Sequence, residues 1–352
     1  MLSSATPTPA QNSDLQHYFY IDVLRVLAMC FVILLHCMSP YIASLEIYAS
    51  RSWYGFIVLN SIVRSAVPIF FMISGFLILK SEKTLQIFPS YKSRLPKLLI
   101  PLLFWNVAYF LFAAIFGASL NPIYLLKSLI NSGTGYHMWF IYTLIGLYIL
   151  APFLARIARS STLGEVSLLF FIIISTTTIR PFINTVTPIY IYLFEPLANG
   201  YIGFFLLGYI LAKADFSRRT CILFYLGGIL GIAIGVFWHI KNSDATQISL
   251  VFNLGHALPH FLVSSAIFVA AKEAFKNARV KNLLCRAVSA LSDISYGVFW
   301  IHVMVLFLCE RFVSPEVSPM VLAALRFLLT LVISASVIFP LSKIRPVKNL
   351  LM

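Results

Sequence analysis

The sequence predicts an all-α polytopic integral membrane protein of about ten transmembrane helices with both termini cytoplasmic. Three observations predict it. Of the 352 residues, 60% are hydrophobic and 11% charged, where a soluble domain carries about 25% charged residues. The mean hydropathy is +0.90. Apolar stretches of about 20 residues recur along the chain. Such a chain cannot cover itself with polar surface in water, and lipid is the solvent that fits it.

The spans are predicted at 20–43, 55–79, 98–117, 138–155, 165–182, 193–212, 220–240, 250–271, 291–309 and 320–342. The fifth carries the Ser175–Thr178 run and is the weakest. Helices are the economical assignment because backbone polar groups cannot stay unpaired in hydrocarbon. Residues 1–17 form a polar tail without Lys or Arg, 18–345 one membrane domain, and 346–352 a short cytoplasmic tail. No small-residue cleavage pattern follows the first apolar segment, which reads as a retained helix.

The net charge of +14 is distributed for orientation. With the N-terminus inside, 18 of the 26 Lys and Arg fall in inner loops and tail, five in outer loops or, as Arg180, at the outer end of a span, and Arg25, Arg64 and Arg326 deeper within spans. That bias places both termini in the cytoplasm and excludes a basic stripe for nucleic acid. Cys30, Cys37, Cys221, Cys285 and Cys309 are scattered without a CxxC pair, so neither a disulfide framework nor a zinc ribbon is expected.

Titratable groups inside spans are costly. The first span carries Asp22, Arg25 and His36. Eleven helical steps bring Arg25 and His36 to within about 20° of one face and roughly 16 Å apart along the axis. Asp22, three residues before Arg25, is placed to pair with it. The spacing fits an Arg25 that snorkels and a His36 bonded in the core as well as it fits a site. Arg64 lies too deep in the second span to snorkel, so a cavity or a partner such as Glu195 is expected. His137, His256, His260 and His302 collect toward the outer side. The 256/260 spacing could hold a metal, but no acidic or thiol partner is near, and a satisfied helix-end pair is the better reading.

Several segments resemble the acyltransferase-3 family of membrane O-acyltransferases. Tyr20 to His36 is similar to the family's opening, a basic residue, a ten-residue gap and a histidine. Arg64-Ser65-Ala66-Val67-Pro68-Ile69-Phe70-Phe71-Met72-Ile73-Ser74-Gly75-Phe76 resembles its most recognisable block. Tyr91 to Pro101 resembles its basic loop, with Lys97 where the family often has Arg. That change keeps the charge and loses bidentate phosphate geometry. His137-Met138-Trp139-Phe140-Ile141-Tyr142 resembles the start of its fourth helix, and Ser295-Tyr296-Gly297-Val298-Phe299-Trp300-Ile301-His302 its late block.

The resemblance implies a stand-alone membrane acyltransferase of the bacterial cell membrane, transferring an acyl group, most often acetyl, from acyl-CoA to a surface or lipid-linked carbohydrate. Lipopolysaccharide O-antigen, enterobacterial common antigen, capsules and exopolysaccharides are such acceptors. It implies His36 and Arg25 as the catalytic pair, with His36 either general base or acyl carrier. Arg94 and Lys97 are implied as donor-binding cations, and Arg64, Ser74, His137 and His302 as acceptor or oxyanion groups. Acyl-CoA is then a co-substrate, and no metal or redox cofactor is expected. Two other classes fit parts of the pattern. A glycan transporter or flippase suits ten helices with buried charges, but gives no reason for the Arg25–His36 arrangement beside a basic loop. A scaffold needs no such titratable groups.

Overall fold

The computed structural model describes residues 18–131, 133–179, 182–183, 200–248, 257–277, 282–313 and 316–351. Among the described residues every regular element is a helix.

The first span is helix α1, Phe19–Ile42, whose 24 residues reach about 36 Å. The second predicted span is two helices, α2 (Arg51–Val63) and α3 (Ala66–Lys80), with a break at Arg64 and Ser65. Pro68 causes it, lacking an N–H for the Arg64 carbonyl four residues back and crowding that carbonyl with its ring. Next come α4 (Ile87–Arg94) and α5 (Pro96–Ile115). Pro96 favours a first-turn position and disfavours continuation of the helix before it. Helix α6, Pro122–Asn131, fills a connection predicted to be loop.

Helix α7 spans Trp139–Ser160. Helix α8, Leu163–Ile174, starts at a Thr162/Glu165 capping box and runs into a π-helical turn, Ser175–Ile179. The polar run is tolerated there because side chains back-bond, as Thr177 Oγ1 does to the Ile173 carbonyl at 2.8 Å. The rest are α9 (Gly200–Lys213), α10 (Arg218–Lys241), α11 (Leu258–Phe275), α12 (Leu283–Phe312), α13 (Pro319–Leu341) and α14 (Arg345–Leu351).

Taking α2–α3 and α4–α5 each as one crossing, eight stretches among the described residues are long and apolar enough to span a membrane. Two shorter apolar helices, α8 with its π turn and α9, stand at the predicted fifth and sixth spans. The starts of the predicted sixth and eighth spans, 193–199 and 250–256, lie outside the described residues. The chain is thus a multi-pass membrane protein. Leu223, Leu226, Ile229 and Leu230 on α10 and Val332 on α13 point outward, at 55–68% exposure. That surface would be a liability in water and is at home in lipid.

Helices α3 and α9 cross backbone to backbone. A Cβ on Gly75 would lie 1.8 Å from the Phe205 carbonyl oxygen, and one on Gly208 would lie 1.9 Å from that of Met72. Small residues permit this approach, which lets dispersion hold helices that gain nothing hydrophobic from lipid. Two charges within the bundle serve as caps. Arg326 donates to the Val313 and Glu310 carbonyls at the end of α12 and to the Tyr41 hydroxyl. Lys272 donates to the Leu211 and Ala214 carbonyls at the end of α9.

Candidate active site

Helix α1 carries the site at two levels. At one end, Arg25 lines a cavity of about 390 Å³ with Ser74, Arg94, Lys97, Tyr148, Ser295 and Tyr296. Further along, His36 lines a cavity of about 720 Å³ with Arg64, His137, Trp139, Tyr201 and Glu310. Both volumes lie in the range of small-molecule sites.

Three helices supply the cations of the smaller cavity. Arg25 projects from α1. Arg94 is the last residue of α4, braced by Nη1 donating to Thr84 Oγ1 (2.7 Å) and Ser90 Oγ (2.8 Å). Lys97 is the second residue of α5, and the Tyr296 hydroxyl of α12 donates to its carbonyl at 3.4 Å. Asp22 lies 3.9 Å from Arg25 Nη1, a long ion pair. Its carboxylate is held more closely by the hydroxyls of Ser289 (2.7 Å) and Ser292 (2.9 Å) on α12. Asp22 therefore pins α1 to α12 and biases Arg25 beside it.

The larger cavity has an imidazole cluster at its wall. His36 stacks on His302 with centroids 5.4 Å apart, and His137 meets His302 edge-on at 5.1 Å. His302 and His137 are buried, while His36 is half-buried. His302 Nδ1 sits 2.6 Å from the Phe299 carbonyl and 3.2 Å from that of Val298. A carbonyl can only accept, so Nδ1 carries the proton and Nε2 keeps its lone pair. That Nε2 is buried without a hydrogen-bond partner among the described residues. Tyr136 closes on His36 at 5.0 Å.

Arg64 sits at the α2–α3 break, where Nε donates to Asn60 Oδ1 at 2.8 Å, and it lines the cavity as expected. Glu195, its expected partner, lies outside the described residues, as does His256 of the 256/260 pair, whose His260 is buried. Ser74, expected with the acceptor groups, stands instead in the Arg25 cavity. Its neighbour Gly75 faces α9, and the helical step of about 100° between them turns Ser74 away from that contact. Among the described residues no three His, Cys, Asp or Glu side chains are arranged to hold a metal.

Sequence reading missed Glu310, Tyr136 and Tyr201 in the His36 cavity. Glu310 stands eight residues past His302, a little over two turns along α12, and a helix drawn to end at 309 leaves it in a loop. Tyr201 carries no local pattern that marks it.

Fold and site together define a multi-pass membrane protein with a cationic cavity and a histidine-lined cavity served by one helix. Compared with protein families, residues 18–340 match the model described as the acyltransferase domain, and the chain belongs to the acyltransferase-3 family. It is a membrane acyltransferase. Comparison with curated proteins and with solved structures gives no match.

Proposed function

We propose that the chain is an O-acetyltransferase of a bacterial cell membrane, moving acetyl from cytoplasmic acetyl-CoA to a hydroxyl of a surface or lipid-linked carbohydrate. One observation carries the reading: α1 serves the Arg25 cavity at one level and the His36 cavity at another. Arg25, Arg94 and Lys97 suit the phosphates of CoA, since charge-assisted donors bind phosphate oxygens strongly. The roughly 16 Å rise from Arg25 to His36 is about that of an extended pantetheine arm, which brings the thioester to the histidines. The excess of Lys and Arg in the predicted inner loops supports an Arg25 end at the cytoplasm.

The larger cavity suits a carbohydrate. Trp139, Tyr136 and Tyr201 offer ring faces, and Glu310 and Arg64 offer an acceptor and donors for hydroxyls. His36 acts as general base on the attacking hydroxyl. The new ester C–O bond forms as the thioester C–S bond breaks, and the proton taken by His36 passes to the leaving thiolate. Arg64 or His137 donates to the oxyanion. His302, with its proton committed to α12 carbonyls, holds the His36 ring by stacking.

The test is the acyl content of surface glycan, by NMR and mass spectrometry, in a deletion strain complemented with wild type, His36→Ala or Arg25→Ala, with membrane expression checked. Restoration of an acetyl signal by wild type and not by folded His36→Ala supports the proposal. Intact acylation with reduced glycan export, regardless of His36, replaces it with a transporter. A succinyl signal corrects the donor alone.

A further inference from the structure

The two cavities share three lining residues, Phe70, Phe140 and Phe299, and no others. Each comes from a different helix, α3, α7 and α12. Phe140 lies 5.9 Å from Phe70 and 5.5 Å from Phe299, centroid to centroid, with rings tilted by 55° and 58°. At such separations phenyl rings are in contact. Phe299 also reaches toward the chemistry on both sides. Its ring lies 5.2 Å from His137 and 6.0 Å from His302 on one side, and it stacks parallel to Tyr296 at 6.5 Å on the other.

We propose that Phe70, Phe140 and Phe299 form a septum that seals the membrane between the two cavities and opens only around the acyl-pantetheine arm. They are positioning residues: they hold the thioester at His36 while keeping water out of its path. The proposal rests on the acyl-CoA reading above.

Without these rings the cavities would join into one passage from Arg25 to Arg64. An apolar constriction stops ions and water by dewetting, yet phenyls can swing aside for a slender extended arm. A small void of about 10 Å³ lies beside Phe70, Phe299 and His302. Water exclusion also decides the fate of the acyl group, because water competes with the sugar hydroxyl for the same thioester carbonyl. Attack by water breaks the C–S bond to give acetate and CoA thiol. Attack by the acceptor gives the sugar ester and the same thiol.

The experiment uses the full chain in proteoliposomes enclosing a pH-sensitive dye, with wild type, Phe140→Ala, Phe140→Leu, Phe70→Ala and Phe299→Ala. Circular dichroism and melting establish that each variant is folded. Proton leak after an external pH jump is read first. CoA thiol released from acetyl-CoA, with no sugar acceptor added, is read second. The alanine variants are expected to leak at least tenfold faster than wild type and to release CoA at least tenfold faster in a His36-dependent manner. Phe140→Leu restores the seal through bulk alone. Folded alanine variants that stay as tight as wild type and release CoA no faster overturn the septum. Leak in those variants, with no CoA released by any of them or by wild type, upholds the seal and overturns the acyl-CoA reading instead.

Discussion

His36 and His302 stack with their imidazole planes 25° from parallel. The half-buried ring belongs to α1 and the fully buried one to α12, so the pair joins the two helices that carry the site. His302 is fully buried and is not among the residues lining the larger cavity, whereas His36 lines it, which leaves His36 as the ring able to face an incoming hydroxyl. His36→Ala is therefore expected to lower turnover by about 10²–10⁴-fold, the usual worth of a general base. His302→Phe keeps the stack and is expected to cost less. Equal losses in the two variants, both folded, would make the histidines a single catalytic unit and overturn the division of roles.

The Arg25 cavity, proposed for the donor, gives a prediction in binding. Replacing Arg25 or Arg94 by Ala removes a charge-assisted hydrogen bond, worth about 1.5–3 kcal/mol. The KM for acetyl-CoA should rise about 10–100-fold, with a smaller change in the KM for the acceptor. Free CoA should lose its power to compete by the same factor. Lys97→Arg should be tolerated or improve binding, because a planar fork meets a phosphate at two points. A KM left unchanged by both Arg25→Ala and Arg94→Ala would remove these cations from the donor site.

Part of this site was legible in the chain. Helical period alone placed Arg25 and His36 on one face, and the structure puts each in a cavity. Pro68 marked the block after Arg64, but a span drawn through apolar residues hides the break that a missing N–H creates. The connections were less readable. His302 and Asp22 gain their meaning from α1 packing on α12, a contact between residues more than 260 positions apart. Ser74 lay in a recognisable motif, but the motif does not show which cavity it lines, and the structure places it beside Arg25. By sequence Arg326 falls within a span and Lys272 in an inner loop, and only the helix ends they cap show that the work of both is structural.

Glu310 carries a prediction about the acceptor. It is the carboxylate lining the His36 cavity among the described residues, and a carboxylate accepts from paired sugar hydroxyls. Glu310→Gln replaces a charged acceptor with a neutral amide. Acceptor KM should rise by roughly tenfold, the low end for a hydrogen bond to a charged group, while the KM for acetyl-CoA holds. Kinetics on a defined oligosaccharide separate the two. A rise confined to the acetyl-CoA KM would remove Glu310 from acceptor recognition.

Gly75 and Gly208 predict a packing defect of a particular kind. Each added methyl meets backbone, not a side chain that can swing away, so α3 and α9 must part. Overpacking of this sort costs about 1–3 kcal/mol. Gly75→Ala and Gly208→Ala should lower the melting temperature in detergent, and the double variant should lose less than the sum, because the first separation makes room for the second methyl. Full additivity would show that the two contacts yield independently.

Asp22 tests whether the tie between α1 and α12 also serves the donor site. Its carboxylate accepts from two serine hydroxyls one helical turn apart, in a buried position. Asp22→Ala should cost about 1.5–3 kcal/mol, as expected for a lost hydrogen bond to a charged group. The serines soften the loss by turning back to carbonyls of their own helix. Asp22→Asn keeps the shape and part of the bonding, and should lie between wild type and alanine. Arg25 would lose its neighbouring charge in both variants, so the KM for acetyl-CoA should shift in the same order while acceptor KM does not. If Asp22→Ala lowers the melting temperature and leaves the acetyl-CoA KM where it was, the aspartate fastens the two helices and has no part in setting Arg25.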